Sequence, residues 1–128
     1  MQPAPYQIKS PRLILQKVNN LLREEKLYLH SMRLKELARR VNVTAAQLSQ
    51  VINELEGCHF SDFINKYRVE EAKTLILDGQ QNLKIIEVAY QSGFNNKSTF
   101  NAAFKKFVGI SPSEFKQHNT QSIINLNL

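Results

Sequence analysis

The chain has 128 residues and a net charge of +6, from 17 basic and 11 acidic side chains. Its single cysteine, Cys58, excludes an internal disulfide and fits a reducing compartment. No run of about 18 apolar residues is present to span a membrane, and MQPAPYQIKSPR lacks the apolar stretch of a secretory signal.

In chain order, residues 1–10 contain Pro3 and Pro5 and read as a linker or disordered segment. Ser10-Pro11 is a helix start: a hydroxyl that can cap, then a proline whose φ is preset. Ile14, Val18, Leu21 and Leu22 recur at helical spacing, which predicts a first helix to about Lys26. Leu34, Leu37, Ala38 and Val41 mark a second helix, with Asn42 at the turn after it. Thr44-Ala45-Ala46-Gln47 is a capping-box sequence and opens a third. Leu48, Val51, Ile52 and Leu55 form its expected buried stripe, and Gly57 is placed to end it.

From Phe60 to about Leu77 one long helix is expected, carrying Phe63, Ile64, Tyr67, Ala72, Leu75 and Ile76. At 1.5 Å per residue it spans roughly 25 Å. Asp78-Gly79 ends it, and the stretch from Ile85 to Phe115 supplies two more helices. Ser111-Pro112-Ser113-Glu114 is a second capping box and opens a short last helix. The tail QHNTQSIINLNL carries no acidic residue, lysine or arginine and is assigned no structure. No segment alternates as a strand would, so the expected fold is all-α with seven helices.

The chain contains one pattern twice. With Ala38 set over Ala89, Leu34, Glu36, Leu37 and Val43 fall on Ile85, Glu87, Val88 and Phe94. One extra residue in the second turn then places Leu48, Val51, Ile52, Leu55, Gly57, Ser61 and Phe63 on Phe100, Ala103, Phe104, Phe107, Gly109, Ser113 and Phe115. Asn42 and Gly93 meet at the turn, and both residue types tolerate left-handed backbone. Each copy reads as a helix-turn-helix. The predicted organisation is a first helix-turn-helix subdomain at 11–58, a bridging helix at 59–78, a second subdomain at 79–118 and a tail at 119–128.

Charge follows this division. Residues 1–56 carry nine basic and five acidic groups (+4), 57–82 carry three and four (−1), and 83–128 carry five and two (+3). Two positive units joined by a nearly neutral segment suit a polyanion partner, although +6 also serves plain solubility.

A recognition helix packs one face on its partner and offers short polar groups on the other. In the third helix the face opposite the apolar stripe holds Ala46, Ser49, Gln50 and Asn53, with Gln47 at its flank. Glutamine can pair with adenine through two hydrogen bonds, serine with several bases, and alanine can touch the thymine methyl. In the second copy the matching face holds Lys97, Ser98, Asn101, Ala102 and Lys105. Arg39, Arg40, Lys105 and Lys106 are expected at phosphates. The competing reading, merely solvated faces, weighs about evenly for Lys105 and Lys106 and less for Gln50 and Asn101.

Arg68-Val69, Ala72, Ala89, Gly93-Phe94, Phe100, Phe104-Lys105-Lys106-Phe107 and Gly109-Ile110-Ser111-Pro112 together resemble the signature of the AraC/XylS family of bacterial transcription regulators. The resemblance covers about residues 12–117. It implies seven helices, two helix-turn-helix subdomains bridged by a long helix, and one recognition helix from each in successive major grooves of double-stranded DNA. It places positions 46, 49 and 50, and Lys97, Ser98, Asn101 and Ala102, at the family's base-contacting positions. Where the family often has bulky or basic groups, Ala46 and Gln50 are small or neutral, which lessens the expectation of guanine reading. Ala102 in place of a long side chain points to a weakened second contact. Relatives usually carry a sensory or dimerisation domain as well, so this chain reads as the DNA-binding end of a longer protein. FSDFINKYRVEEAK resembles members fused to membrane-anchored sensory regions, with this part in the cytoplasm.

Other chemistries find less support. Cys58-His59 is adjacent rather than spaced as a metal pair, and His30 and His118 add no cluster, so neither metal nor cofactor is expected. Asp62, Glu70 and Glu71 sit on the long helix with no glycine-rich loop, so no enzyme is expected. Arg68, among apolar neighbours, is expected to tie its helix to a neighbour rather than reach DNA. The alternative function is a helical protein-interaction module contacting RNA polymerase or a partner regulator.

Overall fold

The computed structural model describes residues 10–79 and 81–126, with side chains to Asn119. Within them lie seven α-helices and no strand: α1 (Pro11–Glu25), α2 (Leu34–Arg40), α3 (Ala45–Glu56), α4 (Phe60–Leu77), α5 (Ile85–Gln91), α6 (Lys97–Val108) and α7 (Pro112–Leu126). The chain groups into two units that meet inside α4, residues 1–64 and 65–128. The expected linker at 1–10 lies, apart from Ser10, outside the described residues.

Local chemistry sets the ends of the helices. Ser10 Oγ accepts from the Leu13 N–H at 3.3 Å, and Pro11 stands at the first position of α1. Lys26 closes α1 with a left-handed backbone (φ 49°), and Leu27–Leu29 follow as one 3-10 turn that burial of Tyr28 anchors. Neither feature has a sequence signal, because lysine is not a usual left-handed residue. Thr44 Oγ1 accepts from the Gln47 N–H at 3.1 Å while Gln47 Oε1 accepts from the Thr44 N–H at 2.8 Å, the predicted capping box. Asn96 does the first half of this job for α6, accepting from the Thr99 N–H at 2.8 Å. Gly57 and Gly109 end α3 and α6 alike, donating to Asn53 O at 3.0 Å and Lys105 O at 2.8 Å. Ser111 and Glu114 form the capping box that opens α7, at 3.3 and 3.1 Å.

In the first unit α3 packs on α1 and α2. Its core joins Ile14, Val18 and Leu22 of α1 with Leu37, Ala38 and Val41, Leu48, Val51 and Ile52, and Phe63 and Ile64. Leu55 departs from expectation, since it is 38% exposed. It shares the apolar direction of α3 but lies in the last turn, where helical periodicity cannot show that the covering helices have ended.

In the second unit Val69 and Ala72 of α4 meet Val88, Ala89, Phe94, Phe100, Ala103 and Phe104. Four phenylalanines chain through it: Phe94–Phe100 at 5.2 Å and Phe104–Phe115 at 5.4 Å between centroids meet edge to face, and Phe100–Phe104 at 5.8 Å is tilted. Such pairs add roughly 0.5–1.5 kcal/mol each beyond their area. Phe94, Phe100 and Phe104 are buried, and Phe107 and Phe115 pack against them partly buried. Ser92 is fully buried at the turn, and its hydroxyl is satisfied by Val88 O at 2.7 Å and Ala89 O at 3.1 Å. Lys116 of α7 donates to Leu83 O at 2.9 Å and so ties the last helix to the segment before α5.

The last helix is not short. α7 runs through fifteen residues to Leu126 and takes in most of the Asn- and Gln-rich tail, which carries no structural signal in the sequence. The Asn- and Gln-rich segment has no apolar stripe to announce a helix. Its backbone continues the turn that the Ser111 cap has started, and Asn119 Nδ2 donates back to Phe115 O at 2.7 Å.

Candidate nucleic-acid interface

The face of α3 away from its core is set by the same turns that bury Leu48, Val51 and Ile52. Ala46, Gln50 and Asn53 are exposed on it and Ser49 is half-buried. Gln47 is held in the capping box through its carbonyl, so only its amide N–H groups remain to donate outward. Gln50 is not isolated: its Nε2 donates to Glu54 Oε1 at 2.9 Å. The run of neutral polar residues on this face ends at Asn53, so periodicity alone does not single out Glu54, one turn beyond Gln50.

On α6 Lys97, Ser98, Ala102, Lys105 and Lys106 are exposed and Asn101 is half-buried, with Phe100, Ala103 and Phe104 facing the core. Each predicted set therefore shares one face of one helix. The lysines differ in their local reasons for being there. Lys105 and Lys106 lie in the last turn of α6, where the helix dipole favours cations by roughly 0.3–1 kcal/mol. Lys97 is the first residue of α6, where the same dipole disfavours it. Helix stability does not explain Lys97, whereas a polyanion would.

The Lys106 ammonium also stands 5.7 Å from the Phe107 centroid, and Lys66 of α4 stands 5.8 Å from the same ring. Lys66 is a basic neighbour of α6 that sequence spacing could not supply, because forty residues separate it from Lys106.

In the first unit Arg39 and Arg40 occupy the last turn of α2. Arg40 is engaged: its Nη2 lies 2.6 Å from Glu25 Oε2 at the end of α1. Both groups are nearly half exposed, so the pair contributes about 0–1 kcal/mol and leaves further guanidinium donors for a phosphate. Arg68 is half-buried, with its guanidinium 5.9 Å over the Phe94 ring and its Nη1 donating to Asn65 Oδ1 at 3.2 Å. Burial pushes it below its ordinary pKa. Its contacts hold the core of the second unit.

Among the described residues no group of three or more His, Cys, Asp or Glu side chains could hold a metal ion. Cys58 is half-buried and unbridged. No described helix is long and apolar enough to cross a membrane.

Comparison with known proteins adds to this geometry. The profile of a family described as "Helix-turn-helix domain" matches residues 37–118. The chain is 26% identical over 85 residues to the probable transcription factor PqrA of Proteus vulgaris, which covers 66% of this chain and 67% of that protein. It spans only 11%, 32% and 30% of three longer curated relatives, all transcriptional or operon regulators. Among solved structures, the C-terminal domain of AraT, a response regulator from Geobacillus stearothermophilus, superposes with a TM-score of 0.69 at 28% identity, covering 82% of this chain and 84% of that one. The DNA-binding domain of AdpA, a global transcriptional factor solved with a target DNA, shares the fold at a TM-score of 0.69 and 20% identity, covering 81% and 90%.

Proposed function

We propose a function on one premise: the chain belongs to the AraC/XylS family of helix-turn-helix transcription regulators. It binds double-stranded DNA sequence-specifically, with α3 and α6 as the two recognition helices, each in a major groove. One observation carries this reading. Two helices built by the same caps and turns each leave an uncovered face of short hydrogen-bonding groups, in a chain of net charge +6. The DNA complex of a protein with the same fold supports it.

The roles divide by chemistry. Ala46, Gln47, Ser49, Gln50 and Asn53 read base edges from α3, and Lys97, Ser98, Asn101 and Ala102 from α6. Arg39, Arg40, Lys105 and Lys106 contact phosphates, and the exposed backbone N–H groups at helix starts add to them. A sensory or dimerisation domain accompanies this one in the intact regulator, and RNA polymerase is its protein partner. The small fraction of the longer relatives that this chain spans supports the first.

Salt titration of binding to random and selected duplexes tests the reading. Affinity for DNA should fall linearly in log–log form as salt rises, with a slope that counts phosphate contacts, and selection should return a defined consensus. Salt-insensitive binding, or no consensus after selection, would favour the protein-interaction alternative.

A further inference from the structure

The contact between Gln50 and Glu54 has no equivalent on α6. Both residues are exposed, one turn apart, on the side of α3 away from Leu48, Val51 and Ile52. At the matching places of the repeat stand Ala102 and Lys106. A carboxylate on a DNA-facing helix repels phosphates, so Glu54 lowers affinity for any duplex. Its presence beside Gln50 therefore calls for a compensating role.

The hydrogen bond supplies one. A glutamine amide can turn over and exchange its oxygen and nitrogen at little cost in open solvent. With Nε2 held at 2.9 Å from Glu54 Oε1, turning over would break a charge-assisted bond. A primary amide has two N–H groups. Glu54 accepts from one of them; with the N–H beside Oε1 left to the base, a single edge offers one donor and one acceptor. One donor beside one acceptor is the set that pairs with N7 and N6 of adenine.

We propose that Glu54 is a positioning residue for base recognition. It fixes the Gln50 amide in the orientation that reads adenine through two hydrogen bonds, and its charge weakens binding to non-cognate duplexes. The proposal rests on the reading of α3 as a helix that enters the major groove. The bland alternative is an ordinary i,i+4 surface pair that only supports the helix.

Selection from random duplexes with the whole chain tests it, using Gln50→Ala, Glu54→Ala, Glu54→Gln and the double alanine variant. Gln50→Ala should flatten an adenine preference at one position by about tenfold. Glu54→Ala should flatten the same position, and the double variant should lose no more than Gln50→Ala alone. Glu54→Gln should keep the preference, because its amide oxygen still accepts the Gln50 N–H. Both Glu54 variants should bind a non-specific duplex several-fold more tightly at low salt, through loss of a negative charge. If Gln50→Ala flattens a position that Glu54→Ala leaves sharp, this proposal falls and the role of α3 stands. An even loss across all positions with Glu54→Ala also overturns it, in favour of helix support. If Gln50→Ala leaves every position sharp, the reading of α3 falls, and this proposal with it.

Discussion

Asn42 and Gly93 occupy the same step of two turns. Both lie in left-handed backbone, with φ 61° and 100°. Asn42 donates its N–H to Arg39 O at 3.2 Å, and Gly93 donates to Tyr90 O at 3.1 Å. The next residue closes each turn: Val43 N–H reaches Ala38 O and Phe94 N–H reaches Ala89 O, both at 3.0 Å. The turns are thus one device made with two residue types.

From this device follows a stability prediction. Gly93→Ala adds a Cβ at positive φ and should cost about 1–2 kcal/mol. Asn42→Gly relieves the same strain but frees the unfolded chain, so it should change stability by less than about 0.5 kcal/mol. Urea denaturation of both variants checks this. A Gly93→Ala chain as stable as wild type would show that the second turn adjusts its φ.

The repeat, the caps and the turns were legible because each depends on local chemistry. Thr44 with Gln47, Gly57, Asn42 and Ser111 with Glu114 each act on backbone groups within a few residues. What was not legible depends on where another element stops. Leu55 keeps the apolar period yet is exposed, since no sequence pattern marks the edge of its cover. α7 outruns its short predicted length because its polar residues carry no period in either direction. The site divides likewise. Its two polar faces were legible from periodicity, whereas the side-chain partners within it were not. Glu54 was in reach of a count of four from Gln50, while the approach of Lys66 to Phe107 needs the packed fold.

The capping box of α7 predicts a pH dependence. Hydrogen bonds from the Ser111 backbone N–H and hydroxyl hold the Glu114 carboxyl below its ordinary value. A carboxyl lowered in the folded state contributes stability above its unfolded pKa and loses it as pH falls through the folded one. The start of α7 should therefore loosen in acid, below the ordinary glutamate range. Glu114→Gln, which keeps an acceptor but cannot titrate, should remove that part of the acid dependence. Amide exchange of the α7 first turn against pH is the measurement; identical profiles for both chains would assign the dependence elsewhere.

Base and phosphate contacts should separate in their response to sequence. Gln50→Ala should cost roughly 1–3 kcal/mol on the preferred site and little on random duplex. Lys106→Ala should weaken all duplexes alike and lower the salt slope by about one. Competition binding at several salt concentrations reads both. Should Gln50→Ala weaken random and selected duplexes equally, Gln50 serves the backbone and not a base.

Two recognition helices, one in each unit, predict the size of the site. The bound chain should protect about two helical turns of duplex, with contacts in major grooves about 34 Å apart. Hydroxyl-radical footprinting shows the extent directly. Cutting the site to one half should reduce affinity by much more than the loss of a single contact. Unchanged affinity for the half-site would mean that only one helix engages.

The two copies should divide the work unequally. α3 presents Ser49, Gln50 and Asn53 with no basic side chain on its face and Glu54 beside them. Neutral amides discriminate by geometry, and the carboxylate removes part of the general attraction to phosphates. α6 presents Lys97 and Lys105 beside Ser98 and Asn101, with Lys106 and Lys66 gathered at Phe107. Those ammonium groups attract any duplex. The first copy should therefore carry most of the specificity, with an A·T-leaning preference, and the second more of the affinity. Lysine can also read guanine, so Lys97 is the residue that would upset this division. Comparing selected consensus strength for the Ser49/Gln50 and Lys97/Asn101 double alanine variants decides it. The first pair should blur the consensus and leave the salt slope near wild type. The second should lower the slope by about one and blur the consensus less than the first. A sharper loss of consensus from the second pair would assign the reading to α6.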